Sequence, residues 1–134
     1  MVDIQHLQSL FDMTDYCDAD ILDFQASYFG DEVTMYIDID ENFCWKVHFT
    51  SCSKVNYQTD ASWRRIPLVR QMHMPQLGYV GQVITVTPSE NHDFYCIFMD
   101  FSIAEVTIEC RDVSFEKTNR TSLKFFWETQ TQES

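Results

Sequence analysis

Residues 20 to 49 constrain this chain more than any other stretch, because they spell out a three-stranded antiparallel meander. Gly30 and Asp31 suit a two-residue type II′ turn, with Gly at the first central position. That turn sets Phe29 opposite Glu32, and then pairs Tyr28 with Val33, Ala26 with Met35, Phe24 with Ile37 and Leu22 with Ile39. A slip of one residue would mix the two faces, so four apolar pairs on one side support the hairpin. Asp40, Glu41 and Asn42 then suit a three-residue loop with Asn42 left-handed. It pairs Ile39 with Phe43, Ile37 with Trp45, Met35 with Val47 and Val33 with Phe49, and again every pair is apolar.

The rest of the chain continues in the same manner. Ile4, Leu7, Leu10 and Phe11 fall at helical spacing and Asp3 can cap, which predicts one amphipathic helix over 3–13. Residues 14–19 read as an acidic connector. Beyond Phe49 the strand is expected to pass a bend or bulge near Ser51, Cys52 and Ser53. The even-numbered row Cys44, Lys46, His48 and Thr50 is more polar, as on a solvent-facing or partly covered face. Residues 63–75 read as irregular or briefly helical. Val80 to Thr87 alternate as a strand closed by Pro88. Residues 93–101 are apolar on both faces, as in a central strand covered on two sides. A half-exposed strand follows over 104–111, and Val113, Phe115 and residues 123–127 are candidates for a last element. About seven strands with little helix predict a mainly β fold: an antiparallel meander sandwich, or a strongly curved sheet with one short N-terminal helix. The expected organisation is a single domain over 1–134, with a helix at 3–13, a β core at 20–116 and a frayed tail at 128–134.

With 45% hydrophobic and 22% charged residues, three Gly and three Pro, the composition is that of a globular chain. No apolar run approaches the roughly 20 residues of a membrane helix, and the opening residues lack the basic and apolar regions of a signal peptide. The expected location is the cytoplasm. Cysteines 17, 44, 52, 96 and 110 are odd in number and hold no C-x-x-C, so reduced thiols are expected. Cys44 and Cys52 lie roughly 27 Å apart along an extended strand and cannot bridge unless it bends sharply.

The net charge of −12 is unevenly spread. Residues 1–41 hold eleven acids and no Lys or Arg, whereas the remaining 93 residues hold ten acids against nine bases. Such a field repels nucleic acid and anionic membrane and attracts basic proteins. The alternative is acidity that only keeps a small domain soluble. Arg64 and Arg65 are expected to clamp the acidic N-terminal region, the alternative of a phosphate site lacking a Gly-rich cradle.

Signatures of chemistry are weak. Asp38, Asp40 and Asn42 resemble the opening of a calcium loop, but Phe43 and Phe49 stand where that loop needs Gly and Glu. A weak cation site at Asp38, Asp40 and Glu41 is the alternative, and a solvated turn is the simpler reading. His6, His48, His73 and His92 are scattered without zinc-ligand spacing. No nucleophile elbow or family-specific cysteine context is present, and 21 acids make any choice of a catalytic pair uninformative. The aromatics lack the positive groove of a single-strand binder. The expectation is a non-catalytic protein without metal or cofactor.

The run from Asp20 through Leu22, Phe24, Tyr28, Phe29, Gly30, Asp31, Glu32 and Val33 to Trp45, Lys46, Val47, His48 and Phe49, then Cys52, Tyr57, Asp60, Trp63 and Arg64, resembles small acidic bacterial proteins. Some of these look like immunity proteins of polymorphic toxin systems, and the resemblance covers residues 18–110. It implies a cytoplasmic β-rich protein that neutralises a cognate toxin, often a cationic nuclease, through an acidic surface. The charge distribution independently agrees, since carboxylates presented where a nuclease expects phosphates raise association rate and specificity. The partner-binding candidates are Asp31, Glu32, Asp38, Asp40 and Glu41 at the hairpin ends, with Asp18, Asp20 and Asp23 along the first strand and its approach. A homodimer with no basic partner would instead mark a small adaptor or assembly protein.

Overall fold

The structure, a computed structural model, describes residues 2–129. Helix α1 spans Ile4–Met13, followed by β1 (Ile21–Ser27), β2 (Glu32–Asp38), β3 (Phe43–Thr59), a four-residue α2 (Met74–Leu77), β4 (Val83–Pro88), β5 (Tyr95–Asp100), β6 (Ala104–Asn119) and a short α3 (Phe126–Thr129). The six strands form one antiparallel sheet in the order β1-β2-β3-β6-β5-β4. The sandwich alternative is therefore not adopted. The sheet is strongly curved, because its two edges approach each other: Asp20, just before β1, bridges Val80, just before β4. Opposite edges of a six-stranded sheet meet only if it coils upon itself. The strands of the two edges do not otherwise pair, and the sheet stays open.

The expected helix forms, with the Asp3 carboxylate accepting from the His6 backbone N–H at 3.0 Å as its cap. Leu7 and Phe11 are buried on the concave face, Phe11 edge-on to Phe115 and stacked near Phe49. Gln8 pins the helix to edge strand β4, donating to Ile84 C=O at 2.9 Å and accepting from Val86 N–H at 2.7 Å. It thereby satisfies backbone groups that an edge strand leaves open. Val33, Met35, Val47, Phe49, Ile97, Met99, Val106 and Ile108 complete this core. A second cluster on the other face joins Leu22 and Cys44 to Met72, Leu77, Phe125 and Trp127. The even-numbered row is accordingly part-covered: Cys44 is buried while Lys46, His48 and Thr50 are half-buried.

The second hairpin has the expected register, Ile37 opposite Trp45, Met35 opposite Val47 and Val33 opposite Phe49, but Asn42 is not left-handed: the Asp40 carboxylate, accepting from the Asn42 and Phe43 N–H groups, makes the turn instead. The first differs by two residues. Ser27 faces Glu32, Ala26 faces Val33 and Phe24 faces Met35, because the chain turns through four residues, Tyr28 to Asp31. A shift of two preserves the faces, so the apolar alternation survives the error in the turn. A bulge between Ile21 and Asp23 then exchanges the sides, setting Ile21 opposite Ile37 and sending Leu22 to the second cluster. A bulge also lies where expected in β3: Ser51 is left-handed (φ 53°), and the register against β6 shifts between Cys52 and Lys54. It brings Cys52 inward, opposite Cys110, with a hydrogen bond between the thiols, and all five cysteines are free.

Three further expectations are corrected. β5 buries Ile97 and Met99 but exposes Phe98, since it lies next to an edge strand and only one face is covered. The segment after residue 111 is no separate strand: β6 runs unbroken to Asn119, paired with β3 throughout. Arg64 is no clamp on the acidic region, because its guanidinium donates to Leu77 C=O at 2.9 Å and lies over the rings of Trp63 and Tyr79. Of the tail expected to fray, residues 130–134 lie outside the described residues. Glu128 belongs to α3 and accepts from the Phe125 backbone N–H at 2.9 Å.

Candidate functional site: an acidic recess beside the strand ends

The connector between α1 and β1 is bound tightly by backbone. Asp18 N–H donates to Gly81 C=O and Gly81 N–H to Ala19 C=O, both at 2.8 Å, and Ile21 N–H donates to Tyr79 C=O at 2.9 Å. Gly81 is required by space rather than by conformation, because a Cβ there would stand 2.3 Å from the carbonyl oxygen of Tyr16. Asp15 (φ 55°) and Asp18 (φ 65°) turn the chain through left-handed backbone, which Asp tolerates better than most residues. The Thr14 hydroxyl, buried, donates to Phe11 C=O at 2.6 Å and closes the helix.

These turns gather carboxylates around a recess of about 470 Å³. It is lined by Asp15, Asp18 and Asp20 from the connector, Asp38 and Ile39 from the end of β2, Trp45 from β3 and Met13 from the end of α1. Lys117 supplies the cation of the lining, with its ammonium 4.7 Å from the centre of the Phe43 ring. Four acids against one Lys give the recess a formal charge of −3. Met13 and Ile39 are exposed beside them, so apolar surface and negative charge are interleaved.

Asp38 is the most constrained of the four. Partial burial raises its pKa above the ordinary carboxylate value; Arg120 opposes this, while Asp20 and Asp40 add to it. The Arg120 guanidinium donates to the Asp38 carboxylate at 3.1 Å and to Asp40 C=O at 3.2 Å, with Glu128 3.9 Å away. The clamp on the acidic region is thus Arg120, distant in sequence and brought there by the long β6, not Arg64.

The partner-binding candidates fall into separate places. Asp18, Asp20 and Asp38 share the recess. Asp40 and Glu41 are exposed in the adjoining turn, where Asp40 Oδ1 accepts from the N–H groups of Asn42 and Phe43 at 2.8 Å. Asp31 and Glu32 lie at the far end of the β1–β2 hairpin, roughly 20 Å away along β2. There Asp31 is exposed and Glu32 pairs with His48 at 2.8 Å. Asp23 is apart from both groups, bonded to Phe24 N–H and the Gln25 amide at the rim of a mostly apolar cavity of about 130 Å³. Sequence reasoning missed Asp15, whose place depends on a turn made by residues with no glycine signal. It also missed Arg120.

No histidine lines the recess. Among the described residues no group of three or more His, Cys, Asp or Glu side chains is placed to hold a metal, and no helix is long and apolar enough to cross a membrane. What the recess offers chemically is a negative concavity with apolar edges, suited to a cationic side chain of another protein.

Comparison with known proteins bears on the whole of this architecture. The family model described as Immunity protein PIM7 matches residues 3–117, which takes in α1, the connector and all six strands up to Lys117. No match was found among curated proteins. Among solved structures, the crystal structure of an uncharacterized protein from Neisseria gonorrhoeae is similar with a TM-score of 0.51 and 14% identity, covering 75% of this chain and 92% of that one. That likeness concerns the fold alone.

Proposed function

Because the chain belongs to the PIM7 family of immunity proteins, we propose that it neutralises a cognate basic toxin by non-catalytic binding, with the acidic recess as the docking surface. The observation that carries the site is the convergence of Asp15, Asp18, Asp20 and Asp38 around one concavity with apolar neighbours. Charge alone gives rate and orientation, whereas Trp45, Ile39 and Met13 supply apolar area of the kind that concentrates binding energy. A nuclease toxin fits this chemistry, because its substrate-binding surface is built to receive phosphates and would receive these carboxylates in their place. Such toxins act on intracellular targets, so the protein works in the cytoplasm.

The test is protection from a toxin, sought first among the genes that neighbour this chain's own. Cells expressing that toxin survive when the wild-type protein is co-expressed and die when Asp18 and Asp20 are both changed to Lys, with the variant accumulating to normal levels. Survival with the double variant would remove the recess from the account, and death with the wild-type protein would remove the immunity function for that toxin.

A further inference from the structure

The β1–β2 hairpin closes on three successive left-handed residues: Tyr28 (φ 54°), Phe29 (φ 61°) and Gly30 (φ 99°). Glycine adopts this region freely, but two bulky aromatic residues in it are true outliers. Both rings also face solvent, Phe29 at 112% and Tyr28 at 71% of full exposure. The turn beneath them is fixed. Asp31 N–H donates to Tyr28 C=O at 3.1 Å, and Cys52 N–H donates to Asp31 C=O at 2.9 Å. The rings are held out on a braced support.

A two-residue turn would have set Tyr28 opposite Val33, in the core register, and the fold does not take that option. Strain and exposure at the same two residues are both unfavourable in the isolated protein, and burial against another molecule recovers the exposure. We propose that Tyr28 and Phe29 are an anchor that inserts into an apolar cleft of the toxin rimmed by Lys or Arg. The rim chemistry follows from the charges at the tip. Asp31 is exposed beside the rings, Glu32 follows it, and residues 1–41 contain no Lys or Arg. His48 is held by Glu32 and Lys54 by Glu109, at 2.8 Å and 3.2 Å. A net charge of −12 opposes both a second copy of this chain and an anionic membrane as the occupant.

This inference rests on the immunity reading and adds a second contact to it. Recess and tip are roughly 20 Å apart on one hairpin, and an interface burying about 800 Å² per partner is wide enough to cover both.

The experiment measures binding kinetics of the toxin identified by the protection test, purified in inactivated form, against the wild-type protein, Phe29→Asn, Tyr28→Asn and Phe29→Gly. Asn and Gly accept left-handed backbone, so the variants should melt at or above the wild-type temperature. The expected result is dissociation faster by about ten-fold or more with association little changed. Dissociation within about two-fold of wild type would overturn the anchor, as would a lower melting temperature in all three variants, since the rings would then be structural. A wild-type dimer, or binding to anionic vesicles, that Phe29→Asn abolishes would overturn it in favour of that occupant. Failure of the wild-type protein itself to bind the toxin would overturn the immunity reading and the anchor together, an outcome distinct from the others.

Discussion

The indole Nε1 of Trp127 donates to the backbone carbonyl of Leu22 at 2.9 Å. Leu22 stands in the bulge of β1, outside the regular ladder with β2, so a residue beyond the family-matched segment satisfies a carbonyl that the bulge leaves open. Trp127 also stacks on Phe125 at 5.3 Å and covers the second cluster. Trp127→Ala should therefore cost about 3–5 kcal/mol. Trp127→Phe should cost about 1–3 kcal/mol, because it leaves Leu22 C=O buried without a donor. Urea unfolding of the two variants measures both values, and an Ala variant as stable as wild type would contradict the role given to this segment.

Gly81→Ala brings a methyl group against the Tyr16 carbonyl, and backbone cannot yield as a flexible side chain does. The connector must move away from the β4 approach, weakening the bonds from Asp18 N–H and to Ala19 C=O. A loss of about 1–3 kcal/mol is expected. Because Asp18 and Asp20 are positioned by those bonds, toxin binding should weaken as well, beyond what the loss of stability explains. Calorimetry and binding on the same samples separate the two effects.

Asp38 gives a stability prediction of opposite sign. Its folded pKa is raised, chiefly by burial, so the folded state holds its proton up to a higher pH than the unfolded chain, where Asp titrates near 3.9. Stability therefore falls as pH rises from that value through the raised one, and ionisation of Asp38 is a net cost at neutral pH. Asp38→Asn should be no less stable than wild type at pH 7, and any advantage should vanish below about pH 3, while toxin binding weakens. A variant clearly less stable at pH 7 would mean that the Arg120 ion pair outweighs burial.

The parts of the fold legible in the sequence were those set by local geometry. The register from Ile37 and Trp45 to Val33 and Phe49 was legible from the loop length and the apolar pairs, although the turn is held by the Asp40 carboxylate and not by a left-handed Asn42. The first hairpin was legible in its faces but not in its turn, since period-two alternation is blind to a shift of two and nothing local announces aromatic residues with positive φ at 28 and 29. The bulge that diverts Leu22 depends on a partner more than 100 residues away, Trp127. The same limit applies to the site. Asp18, Asp20 and Asp38 were legible as charge, but Asp15 and Lys117 entered the recess through the coiling that joins Asp20 to Val80, and Arg120 through the length of β6. The expectation that Arg64 would fill that role followed from charge count, whereas Trp63 and Tyr79 gave it nearer partners.

Lys117 is the cation lining the recess. Lys117→Gln makes the lining more negative without touching the core, and it should speed association with a basic toxin by about two- to five-fold at low salt. Stopped-flow mixing at low and high ionic strength measures it. A slower association would show that Lys117 contributes a favourable contact instead.

The most direct test of the account is the association rate constant with the toxin as a function of salt, for wild type, the Asp18→Lys, Asp20→Lys double variant, and a control in which the exposed Glu90 and Glu105 are changed to Lys. The two variants alter the net charge equally, so their difference reports position. The account predicts a wild-type rate that falls steeply with salt, a recess variant slower by about ten-fold or more at low salt that converges with wild type at high salt, and a control close to wild type. Equal slowing in both variants, or a rate indifferent to salt, would contradict it.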